Sequence, residues 1–156
     1  MKKSVLVLLL SSALCATVYA QKITEDKVPA AVAAALKNKF PGASKIVWEM
    51  EKTDYEANFR MHNEKVSAVF DPAGKWLETE TEMNASTLPA PVQQTLKAVF
   101  PGYKTEEACK VESEKTGHCF EAEIEKGKET LEVRLTPDGK VISKTPMEDD
   151  QDDKDD

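Results

Sequence analysis

Apolar residues recur every fourth position in two short stretches of the chain and every second position in most of the remainder, which divides the sequence into helices and strands. Val28, Val32, Leu36 and Phe40 form one fourfold stripe, and Leu88, Val92, Leu96 and Phe100 form the other. Each predicts a helix of about three turns with one buried side. Pro29 and Pro89 suit a first helical turn, where a missing N–H is no loss. Pro41 and Pro101 end the helices, because the ring disfavours helical geometry at the preceding Phe.

After each helix the period drops to two. Ile46, Trp48 and Met50 alternate with Val47, Glu49 and Glu51. Tyr55, Ala57, Phe59 and Met61 alternate with Glu56, Asn58, Arg60 and His62, and Val66, Ala68 and Phe70 with Ser67 and Val69. These are half-buried strands with the apolar set expected inward. Asp71-Pro72-Ala73-Gly74 is a turn signal, so the third strand should fold back into a fourth from Lys75 to Met83.

The scheme is written twice. Val28-Pro29-Ala30-Ala31-Val32 and Phe40-Pro41-Gly42 recur sixty residues later as Leu88-Pro89-Ala90-Pro91-Val92 and Phe100-Pro101-Gly102. After a five-residue insertion, Tyr55-Glu56-Ala57 recurs as Phe120-Glu121-Ala122, and Asp71-Pro72-Ala73-Gly74-Lys75 as Thr136-Pro137-Asp138-Gly139-Lys140. Leu131, Val133 and Leu135 repeat the inward parity against Glu132, Arg134 and Thr136. The expected fold is therefore α+β, a tandem repeat of one helix plus a four-stranded antiparallel sheet. A unit of about sixty residues is marginal alone, so the two sheets should join, with both helices on one side and the other side in water. The expected divisions are a signal over 1–20, repeats over 21–83 and 88–147, a polar joint at 84–87, and an acidic tail over 148–156.

The first twenty residues read as a secretory signal: basic Lys2 and Lys3, an apolar run, then small residues ending at Ala20. A periplasmic or secreted product cleaved after Ala20 is expected, with no membrane span in the mature chain. Leu14 is too bulky for the usual lipobox, which argues against a lipoprotein acylated at Cys15. Loss of Lys2 and Lys3 moves the net charge from -7 to -9. Nucleic acid and anionic lipid are discounted as partners, since both are held by Lys and Arg clusters.

Cys109 and Cys119 remain after cleavage, an even pair in a compartment where disulfides persist, so a bridge between them is expected. Parity is awkward for that pairing. Cys119 shares the parity of outward Glu121 and Cys109 that of apolar Val111, which calls for a bulge near Gly117.

These residues resemble a known family. Helices opened by Val-Pro or Leu-Pro and closed by Phe-Pro-Gly, followed by four strands with a Pro/Gly turn, look like the β-lactamase-inhibitor-like, PepSY-like proteins of bacterial envelopes. The resemblance covers Val28 to Met147. It implies a curved, shared sheet like that of the inhibitor protein that clamps β-lactamases with its concave face. No residue here matches an inhibitory loop.

Catalytic chemistry has little support in the residues. His62 and His118 fall at non-equivalent places in the repeat, and no phosphate loop, serine elbow or His-Glu-x-x-His run is present. No enzyme activity, cofactor or metal is expected. The candidate contact residues are those of the outer strand face, Glu56, Asn58, Arg60, Trp76, Glu121, Glu123, Glu132 and Arg134, with Trp76 as anchor or, equally, as a cap on the core. The expected role is an exported module binding a protein or peptide. Alternatives are an inhibitor or regulator of an exported protease or β-lactamase, and an acidic protein that responds to calcium through its tail.

Overall fold

The structure, a computed structural model, describes residues 21–147. The signal, Cys15 and the acidic tail lie outside the described residues. Nine strands stand side by side in the order in which the chain makes them. They are β1 (Gln21–Ile23), β2 (Ser44–Glu51), β3 (Asp54–Met61), β4 (Glu64–Phe70), β5 (Trp76–Met83), β6 (Lys104–Ser113), β7 (Gly117–Lys126), β8 (Glu129–Leu135) and β9 (Val141–Met147). Every neighbouring pair is antiparallel. Helix α1 (Ala30–Lys39) follows β1, and α2 (Ala90–Val99) follows β5.

The fold is thus α+β with one sheet running unbroken through the joint, because β5 pairs directly with β6. The strand-before-helix pattern is also duplicated. A 3-10 turn at Glu25–Lys27 links β1 to α1, and another at Ala85–Thr87 links β5 to α2. In the second, the Asn84 side chain accepts from the Ser86 N–H at 2.9 Å.

Side-chain parity sorts the two faces, since directly opposed residues on paired strands point the same way. Ala57, Ala68 and Thr79 form one row on the helix side, and Met83, Ala108, Ala122 and Val133 form another. Val28, Val32, Leu36 and Phe40 close one apolar core over Trp48, Phe59 and Phe70. Leu88, Val92, Leu96 and Phe100 close its counterpart over Ile124, Leu131 and Leu135. Both helical stripes are used as their spacing demands.

The turns lock against the helices. Gly74 and Gly139 have φ of 84° and 86°, and a Cβ at either would lie 2.6 Å from a backbone oxygen of the helical segment, that of Ala31 or of Pro91. Glycine is needed there for both its conformation and its size.

Two inward expectations are corrected. A bulge between Ser44 and Val47, with Lys45 at φ 55°, breaks the alternation and leaves Ile46 42% exposed. Val111, apolar and expected inward, faces away from the helices, because it is paired with Glu80 and Cys119. The cysteines therefore share a face without any bulge at Gly117. They are free thiols, Cys109 opposite Glu121 and Cys119 opposite Val111, diagonal rather than facing, which corrects the expected bridge.

Candidate functional site

The face without helices gathers seven of the eight candidate residues. Glu56, Asn58 and Arg60 point from β3, Glu121 and Glu123 from β7, and Glu132 and Arg134 from β8. Trp76 is on the other side. It pairs with inward Phe70, packs on the first core, donates from Nε1 to Thr79 Oγ1 at 2.8 Å, and carries the Lys39 ammonium 4.0 Å above its ring. Of the two roles foreseen for Trp76, the position is that of the core cap, and it cannot anchor a contact on the opposite face.

The first half of this face holds a groove of about 440 Å³ between β2 and β6, bordered by Val47, Asn58, Arg60, Ser67, Glu82 and Cys109. Arg60 donates to the Asn63 carbonyl at 3.2 Å. Lys65 is tied to Glu82 at 2.7 Å. Burial raises the affinity of the Glu56 carboxyl for its proton, against the hydrogen bond from Ser67 and with the fields of Glu49 and Glu51 adding to the effect.

The second half is dominated by Arg134. Its guanidinium donates to Glu121 at 2.6 Å, to Glu78 at 2.7 Å and to Glu80 at 2.8 Å, and lies 3.6 Å from Glu132. Glu78 and Glu80 belong to β5, so the side chain reaches from β8 across β7 and β6. The donor fork suits several carboxylates at once. One cation does not neutralise four acids. Burial, followed by repulsion from Glu121, pushes the Glu80 carboxyl up to about 8, and burial, followed by Glu132, pushes Glu121 up to about 7. For Arg134 burial opposes the charge, yet the bond to Glu78 and the surrounding carboxylates outweigh it and hold its proton more tightly than usual.

The thiols on this face are poor nucleophiles. Burial, reinforced by Glu80 and Glu121, drives the Cys109 thiol up to about 12, and burial raises Cys119 as well. Acid repulsion continues along the sheet: Glu107 faces Glu123, and Glu123 faces Glu132, so three like charges form one rung. Like charges directly opposed destabilise a sheet. Alternation alone places Arg134 on one face with Glu121 and Glu132, whereas Glu78 and Glu80, 56 and 54 residues away in the chain, join it only through the fold.

No helix among the described residues is long and apolar enough to cross a membrane. Among curated proteins none matches the chain. Among solved structures, a BLIP-like protein of Bacteroides fragilis has a similar fold, with TM-score 0.66 and 24% identity, covering 78% of this chain and 90% of that one. A protein of Bacteroides eggerthii described as a "putative periplasmic" protein gives TM-score 0.69 and 24% identity over 76% of this chain and 88% of its own. A family model described as "Putative beta-lactamase-inhibitor-like, PepSY-like" matches residues 17–67 and again 53–143, most of the chain. The two helices on one antiparallel sheet and that double match lead to one conclusion: the chain belongs to the β-lactamase-inhibitor-like, PepSY-like family.

Proposed function

We propose that the protein is a periplasmic binding module, exported by its first twenty residues, that holds a protein or peptide against the helix-free face of its sheet. One observation carries the reading. Among the described residues, nine strands put their apolar side under two helices and leave the other side uncovered, with a groove of about 440 Å³ bordered by polar and charged residues. The periplasmic description of the Bacteroides eggerthii protein supports the location. In this reading 21–83 and 88–147 are the two repeats, 84–87 is their joint, and Glu56, Asn58, Arg60, Glu121, Glu123, Glu132 and Arg134 belong to the contact surface.

The face is tested by charge reversal. Arg60→Glu and Glu123→Lys should each abolish recovery of specific envelope proteins that the wild type captures, while Lys37→Glu on α1 should leave recovery intact. Equal capture by all four proteins would sink the reading. The inhibitor-like family description favours a second reading, regulation of an exported enzyme through the same face. Titrating the protein into a β-lactamase or an envelope protease, with residual activity as the readout, separates the two.

A further inference from the structure

We propose that Arg134 and its carboxylates form a charge-gated latch that closes the helix-free face over Val111 and Cys119. The geometry begins with an anomaly of burial. Val111 is 0% and Cys119 1% exposed, yet both point away from the helices and neither belongs to the two apolar cores. Among the described residues no helix or strand lies over them. Their position in the register supplies the explanation: Glu80, Val111 and Cys119 make one rung across β5, β6 and β7, and Arg134 lies on the next rung with Glu121. To reach both Glu78 and Glu80 from β8, the arginine side chain must pass over the middle of the neighbouring rung. It lies as a strap on Val111 and Cys119, and it ties the last strand of the first repeat to the second.

The strap is surrounded by too much negative charge to be indifferent to pH. The groups facing it are Glu78 and Glu80 from β5, Cys109 from β6, Cys119 and Glu121 from β7 and Glu132 from β8. Glu82, next on β5, is held by Lys65. In mildly acidic solution Glu80 and Glu121 retain protons, and the guanidinium faces a nearly balanced set of hydrogen-bond acceptors. As pH climbs through about 7 and then about 8 both ionise, and the acids repel one another around a single cation. These carboxyls hold protons in the fold that the unfolded chain releases near 4.5, so their contribution to stability falls as pH rises from that value to about 8. The latch is closed in acid and loosens in base, uncovering an apolar residue and a thiol. This inference concerns the isolated chain and holds whether or not a partner binds the face.

The test is the rate at which an alkylating reagent modifies Cys119, read by peptide mass on the purified protein. The wild-type and Glu80→Gln rates are each divided by the Cys119 thiolate fraction of that protein, read from thiolate ultraviolet absorbance at the same pH, so that their ratio cancels thiol ionisation. That ratio should be near one at about pH 6 and rise about fivefold by about pH 9. At about pH 8, Arg134→Met should expose Cys119 about tenfold more than wild type, with its far-ultraviolet spectrum confirming a folded sheet. A ratio that stays flat across the range overturns the proposal, whatever the fate of the arginine variant. Undiminished protection of Cys119 in folded Arg134→Met overturns it too.

Discussion

Replacing Gly74 by alanine should destabilise the protein by about 2–3 kcal/mol, and the structure divides that figure into two parts. The first is conformational. Gly74 sits at φ 84°, where an L side chain costs about 1–2 kcal/mol, partly offset by about 0.4–1 kcal/mol because alanine restricts the unfolded chain. The second is contact. The new Cβ would stand 2.6 Å from the Ala31 carbonyl oxygen and 2.8 Å from its carbon, both backbone atoms of the first turn of α1, so the turn must move off the helix. Forced repacking of that kind adds about 1–2 kcal/mol. Gly127 provides the control, with φ 67° and nothing within 4 Å of an added Cβ. Gly127→Ala should therefore show the conformational part alone, about 0–1.6 kcal/mol. Gly139, in the matching turn before β9, should behave as Gly74 does, since its Cβ would meet the Pro91 oxygen at the same 2.6 Å. Urea denaturation followed by circular dichroism reads the differences as shifts in midpoint at constant slope. Equal midpoints for Gly74→Ala and Gly127→Ala would refute the claim that the turns are locked to the helices.

Phe70 and Leu135 are equivalent residues, both 0% exposed, and truncation to alanine should cost about 3–5 and about 2–5 kcal/mol. Because one sheet runs through both halves, each variant should still unfold in a single transition; separate transitions for the two halves would contradict the continuous register at β5 and β6. Trp76→Phe removes the donor to buried Thr79 and should lower stability by about 1–2 kcal/mol without altering capture of partners, which a side-by-side melt and capture would check. Lys65→Met breaks an exposed ion pair with Glu82 and should leave the urea midpoint unchanged.

Much of this architecture is legible because local rules and tertiary packing agree. The fourfold stripes, the paired prolines and the Pro/Gly turns each determine their element with neighbours only a few residues away. Where sequence reading goes astray, the deciding contact is distant or the signal too short. Gln21-Lys22-Ile23 offers no alternation, and β1 forms only because β2 presents a free edge to it. Ile46 follows an inward pattern until the bulge at Lys45 turns it outward. Val111 is apolar for a reason that alternation cannot see, the arginine lying over it. Glu78 and Glu80 look like ordinary solvated acids until the sheet brings Arg134 to them across two intervening strands. Trp76 faces inward because a bulge between Val69 and Phe70 shifts the register at the start of β5.

The central claim is that contact is made by the sheet face that lacks helices. Site-specific photocrosslinking in the envelope of the producing cell tests it most directly, with the reactive group placed in turn at Asn58, at Glu123 and at Gln94 on the outer side of α2. Adducts with a common partner from Asn58 and Glu123, and none from Gln94, are the predicted result. Adducts from Gln94 alone would place the contact on the helical side and contradict the account.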